Sequence, residues 1–180
     1  MAVAGDSGTP KDARRETATS RVVVHPSSIV RPVPGFVFAI PKGWVVDEAA
    51  FALAMVRPVA EIDGFFANLL ITHDRVPRAV DFERAAKLTW ERIARDTPDA
   101  KVVAQQLVRF GDNIVHLRGA EMSAPKTGRA IAQLHALFFA PVDGGGKTVD
   151  FFQITATAAT ETMDRIGATF VDIIASFRFV

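Results

Sequence analysis

FFANLLITHDRVP, Phe65 to Pro77, decides the fold. Read as a strand, it puts Phe65, Ala67, Leu69, Ile71 and His73 on one face and Phe66, Asn68, Leu70, Thr72 and Asp74 on the other. The first face is apolar until its last residue, and the second is apolar at alternate positions with an amide and a hydroxyl between. That pattern predicts a central strand covered on both sides, not a half-solvated edge.

Upstream, Asp63-Gly64 signals a turn that pairs this strand with the one before it, Phe51 to Arg57, which Pro58 closes. Phe36 to Ile40 alternates as a further strand and stops at Pro41-Lys42-Gly43, just before Trp44. Residues 1–31 include Gly5 to Ser28, a stretch rich in Gly, Ser, Thr, Pro and charge whose one apolar cluster is Val22 to Val24. They are expected to form a flexible arm, and 32–180 a single domain.

Downstream, Asp81 is placed to cap a helix over Phe82 to Asp96, in which Phe82, Ala86, Thr89 or Trp90, and Ile93 recur at helical spacing. Thr97-Pro98 ends it. The period then falls to two. Val102 to Phe110 and Ile114 to Met122 flank Gly111-Asp112-Asn113; Ala130 to Ala140 and Thr148 to Thr157 flank a second loop. Thr160 is expected to cap a last helix whose stripe is Met163, Ile166, Phe170, Ile173 or Ile174, and Phe177. The sum is an α+β chain: one antiparallel sheet of about seven strands with helices packed on both faces, an α/β/α sandwich.

Among the 180 residues, Lys and Arg number 21 against 20 Asp and Glu, with the signs interspersed, so no basic field exists to hold nucleic acid. The absence of cysteine excludes disulfides, thiolate chemistry and cysteine-held metals. No apolar run reaches the roughly 20 residues of a membrane helix. Met1 to Thr19 lacks the apolar middle of a signal peptide, which makes a cytoplasmic location the expectation; the cell envelope is the alternative if a leader has been removed.

Several motifs suggest chemistry and none completes it. Asp143 to Thr148, DGGGKT, ends like a phosphate-binding loop, but Pro141 replaces the motif's first glycine and a strand follows where a helix is needed; a glycine-rich hairpin loop fits better. His25, His73, His116 and His135 lack metal-ligand spacing, although His116 with Arg118 and His135 with Gln133 sit where neighbouring strands could bring them together. No serine has a nucleophile's context. No catalytic residue, metal ligand or cofactor is assigned.

His73-Asp74-Arg75, at the expected strand exit, forms the best polar cluster: the rim of a pocket, or simply a solvated strand end. Fourteen phenylalanines come partly as doublets, each sending one ring to either face. Most of these rings fill a core; alternatively Trp44, Phe66, Asn68 and Trp90 line an apolar cavity.

The segments FVFAIPKGW (Phe36 to Trp44), FFANLLIT (Phe65 to Thr72), the Asp81-Phe82 helix start and the terminal IIASF (Ile173 to Phe177) resemble the actinobacterial LpqN/LpqT family of the PsbP-like superfamily. That resemblance covers about Pro34 to the C-terminus and implies an α/β/α sandwich acting as a non-enzymatic accessory protein, linked to envelope lipids or to protein partners. The chain departs from the lipoprotein members in having no lipobox cysteine. A domain binding a lipid or other apolar small molecule is thus the first expectation. A protein-interaction domain with a filled core comes second, and a hydrolase using His73 and Asp74 a distant third.

Overall fold

The computed structural model describes residues 26, 31–141 and 146–180. The chain divides into two compact units, 1–32 and 33–180. Apart from Pro26 and Arg31, the expected arm over 1–31 lies outside the described residues, as do Val22 to Val24, His25 and the Asp143 to Gly145 part of the glycine loop.

The second unit runs β1 (Phe36–Val37), β2 (Trp44–Asp47), β3 (Ala54–Pro58), β4 (Asn68–Pro77), α1 (Phe82–Asp96), β5 (Lys101–Phe110), β6 (Asn113–Ser123), β7 (Ala130–Phe139), β8 (Thr148–Ala159), α2 (Thr160–Ser176) and β9 (Arg178–Phe179). Strands β2 to β8 form one antiparallel seven-stranded sheet in the order β2-β3-β4-β8-β7-β6-β5. The chain builds β2 to β4 from one edge, crosses by α1 to the far edge, and returns through β5 to β8, so that β8 pairs with β4 and closes the sheet.

The sheet reaches seven strands with one member different from expectation. Phe36–Val37 pairs with Arg178–Phe179 in a separate two-stranded ribbon, and the remaining sheet strand is Trp44–Asp47, paired from Trp44↔Pro58 to Asp47↔Met55. Phe51 lies outside β3, fully exposed at φ 64°. The diagnostic stretch itself starts pairing at Asn68, because Ile62 and Phe65 exchange backbone hydrogen bonds around Asp63-Gly64, both at positive φ, and this tight turn takes Phe65 out of the ladder. At its other end the strand continues past His73, Asp74 and Arg75, which face Phe152, Phe151 and Asp150 of β8. They are strand residues, not an exit loop, and β8 rather than β4 holds the middle of the sheet.

Alternation sorts the side chains into two faces. On one, Val56, Leu69, Ile71, Val115, Leu117, Ala136, Phe138, Phe152 and Ile154 pack under Ile166, Phe170, Ile173 and Ile174 of α2. Phe36, Phe138, Phe152, Phe177 and Phe179 meet at one end of this layer, mostly edge to face, with Phe36 stacked on Phe177; each buried ring is worth about 1.5–3 kcal/mol. On the other face, Ala85 and Ala86 of α1 rest on Leu137 and Phe151, with Phe82 edge-on to Phe139. The doublets Phe138-Phe139 and Phe151-Phe152 therefore each supply one ring per face.

Asp81 caps α1, its Oδ1 accepting from the Arg84 amide at 2.7 Å. Thr160 does not cap α2. Ala159 occupies the cap position without a side-chain bond, Thr162 Oγ1 donates to Ala159 O at 2.9 Å, and Thr160 Oγ1 is buried with no partner among the described residues. No helix among the described residues is long and apolar enough to cross a membrane.

Candidate functional site

The helix layers do not cover the sheet equally. Helix α1 turns only small residues, Ala85, Ala86 and Thr89, fully inward, so it lies close over β7 and β8 and leaves the β5–β6 side of its face open. There a groove of about 930 Å³ runs between the helix and the sheet. Phe82, Ala86 and Trp90 form its helical wall, and Gln105, Leu107, Ile114, His116 and Arg118 form its floor. Smaller hollows of about 390 and 310 Å³ lie beside α2 over β5 to β7 and between α1 and β4.

Arg118 is the dominant charge of this floor. It points from interior strand β6 toward α1 and is only 5% exposed. Its Nη1 donates to Ala86 O at 3.3 Å, its Nε and Nη2 both reach Gln105 Oε1 at 3.4 and 3.2 Å, and its guanidinium sits 5.1 Å from the Trp90 ring centroid. These partners are neutral. Burial lowers the Arg118 pKa from its ordinary value, yet a guanidinium keeps its proton in any protein setting.

Two histidines flank it. His135, directly opposite Arg118 in the β6–β7 register, is 3% exposed, and burial followed by the Arg118 charge lowers its pKa to about 4. It is a neutral ring. Gln153 Nε2 and Thr155 Oγ1 both approach its Nδ1 at 3.4 Å, so Nδ1 accepts and the ring hydrogen falls on Nε2, which has no partner among the described residues. His116 lines the groove edge-on to Phe82, and burial, with Arg118, lowers its pKa as well; its buried Nδ1 has no partner among the described residues. Strand alternation thus does bring His116 and His135 to one face, with Arg118 between them. No group of three or more candidate metal ligands exists among the described residues.

The sites expected from sequence are distributed differently. Trp90 reaches the groove, whereas Trp44 packs edge-on to Phe170 beneath α2, on the other side of the sheet. Phe66 stays 48% exposed before β4 with the Arg57 guanidinium 5.6 Å above its ring, and Asn68 Nδ2 donates back to Phe66 O at 3.0 Å. The four do not share one cavity.

The rim residues also separate by face. His73 and Arg75 converge on Asp150, with Nε2 and Nε each 2.8 Å from Oδ1, while Asp74 points to the α1 side. Burial raises the Asp150 pKa, and the hydrogen bonds from Arg75 and His73 outweigh it and hold the carboxyl below its ordinary value. His73 therefore partners Asp150 of the adjacent strand instead of its neighbour Asp74. Gln105 and Arg118 were absent from the sequence-based site; the one local signal is the alternation of His116 and Arg118 with apolar Val115 and Leu117.

No family model and no curated protein matches the chain. Solved structures do. LpqN of Mycobacterium tuberculosis, involved in cell envelope biogenesis, is similar at TM-score 0.65 and 14% identity, over 87% of each chain. Cyanobacterial PsbP from Synechocystis is similar at 0.55 and 13%, over 81% of this chain and 87% of that one. The yeast Ran-binding protein Mog1p of Saccharomyces cerevisiae follows at 0.51 and 10%, over 80% and 89%. At such identities the likeness speaks for architecture: the chain has a PsbP-like α+β fold.

Proposed function

We propose that this protein is a non-enzymatic accessory protein that holds an apolar ligand, a lipid or glycolipid, in the groove between α1 and β5–β6. The groove itself carries the reading: about 930 Å³ is enough for a lipid-sized ligand, and Phe82, Trp90, Leu107 and Ile114 give it apolar walls. Leu107 and Ile114 expose apolar surface to the groove, a cost that a bound apolar chain removes. The envelope role of LpqN supports a lipid-rich setting, and with it the cell envelope as an alternative to the cytoplasm. The pocket named from sequence is retained only at Trp90. Trp44, Phe66 and Asn68 lie elsewhere, and His73, Asp74 and Arg75 form no rim to this groove.

Native mass spectrometry on protein purified without detergent from its own cells tests the proposal. A retained lipid mass is expected, lost in Leu107→Asp, which puts a charge on the groove floor without disturbing a buried position. Protein that carries no lipid and takes up none when offered it would overturn the reading.

A second reading rests on a separate observation. Edge strand β5 is exposed over Lys101 to Leu107 and includes Val102 and Val103, an open ladder on which a partner chain can add a strand. The protein partner of Mog1p lends this some support. The same native spectra separate the two readings, since a retained protein shifts the mass by kilodaltons.

A further inference from the structure

Arg118 is a buried cation with no anion paired to it among the described residues. Its partners are a backbone carbonyl, a side-chain amide and an indole face, and no ion pair to it forms among the described residues. The carboxylates that line the same groove are Asp81, engaged in capping α1, and Glu83, in the first turn of that helix. Buried charges are ordinarily matched by a counter-charge, because neutral dipoles recover only part of the lost hydration. Arg118 also lines a groove to which Phe82, Ala86, Trp90, Leu107 and Ile114 give a mainly apolar surface, with Lys87 and Gln106 as further polar lining.

We infer that the groove takes an amphiphile with a carboxylate head, a long-chain fatty acid in chemical class, and that Arg118 is the residue that binds the head. The inference rests on the apolar-ligand reading above and specifies its polar end. A guanidinium has five N–H donors; with Nε, one N–H of Nη1 and one of Nη2 engaged, one hydrogen remains on each terminal nitrogen.

The Nε–Nη2 edge, the side that a carboxylate grips with both oxygens, is held only by the single oxygen of Gln105 at 3.2–3.4 Å. Gln105 projects from the exposed edge strand and is free to swing aside. Its amide is a neutral placeholder in the position of a carboxylate. Trp90 fixes the guanidinium plane from the helix side, and the acyl chain then runs along Leu107, Ile114 and Phe82 toward solvent.

The test uses the full chain carrying Trp44→Phe, so that Trp90 alone reports by fluorescence, titrated at neutral pH with monomeric oleate and with methyl oleate. Oleate should bind about tenfold or more tightly than its ester. Arg118→Gln and Gln105→Glu should each abolish that preference by weakening oleate alone, the second because it sets a permanent carboxylate on the guanidinium edge. Gln105→Glu alters an exposed side chain without changing its shape, so it decides the matter even if Arg118→Gln fails to fold. Equal affinity for the two ligands, or a preference that survives Gln105→Glu, overturns the carboxylate assignment and leaves the apolar groove standing. If neither ligand changes Trp90 emission, the apolar-ligand reading falls and this inference with it.

Discussion

Replacing His135 with leucine should remove a specific part of the protein's acid sensitivity. His135 is almost fully buried and neutral when folded, its pKa lowered from 6.5 to about 4 by burial and then by the Arg118 charge. In the unfolded chain it takes up a proton near 6.5; in the folded chain it resists until about 4. The stability that comes from keeping the ring neutral is therefore whole above 6.5 and is lost as the pH falls toward 4.

At about 1.36 kcal/mol per unit, that gap amounts to about 3 kcal/mol, of which about 2 kcal/mol is gone by pH 4.5. Urea unfolding followed by circular dichroism at several pH values between 7.5 and 4.5 measures it. The parent protein should decline by about 2 kcal/mol more than His135→Leu across that interval. His116 adds a slope in the same direction, and the depressed carboxylates Asp99, Asp150 and Glu161 act mainly below this window; both proteins share these contributions. The two variants losing stability in parallel would refute the claim that His135 is buried neutral.

Phe152→Ala, at a fully buried position where the rings of Phe36, Phe138, Phe177 and Phe179 meet, should lower the unfolding free energy by about 3–5 kcal/mol in a denaturant titration. Asp150→Asn takes the negative charge from between His73 and Arg75 and should cost about 2 kcal/mol at pH 7; because the Asp150 pKa is lowered, the difference should shrink as the pH falls below 3.8, which acid-range melts would reveal. Asp81→Ala deletes the cap of α1 and should cost about 1 kcal/mol, seen as faster amide hydrogen exchange confined to the first turn of that helix.

The two helices show what a local pattern can encode. Asp81, the 3.6-residue recurrence and Thr97-Pro98 define α1 over Phe82–Asp96 without outside information, because capping and the pre-proline restriction act within a few residues. Thr160 misled by the same logic: a threonine at a helix start resembles a cap, but its hydroxyl faces the interior as β8 runs directly into α2, and Ala159 takes the cap position. The strand order was not legible, because nothing local in Thr148–Ala159 states that β4 will be its neighbour.

The groove was legible in one residue. Trp90 was named from its helix, but Trp44 and Trp90 fall on opposite faces because each belongs to an element whose placement depends on the whole sheet. In sequence, His116 and Arg118 alternating with Val115 and Leu117 look like the wet side of a strand. Only the register, which makes β6 interior and sets this side beneath α1, turns that alternation into a buried charge.

The position of β8 also bears on how the molecule is made. The first three strands of the sheet are synthesised early, yet the inner edge of β4 has no partner until residues 148–159 have emerged, since Asn68 pairs with Thr157 and Pro77 with Thr148. Until then a nascent chain carries a strand with one open edge that includes the apolar Leu69, Leu70 and Ile71. The last sheet strand to be synthesised unites the two halves, so folding is slow by topology, and the growing polypeptide spends its most aggregation-prone interval waiting for its own C-terminal third.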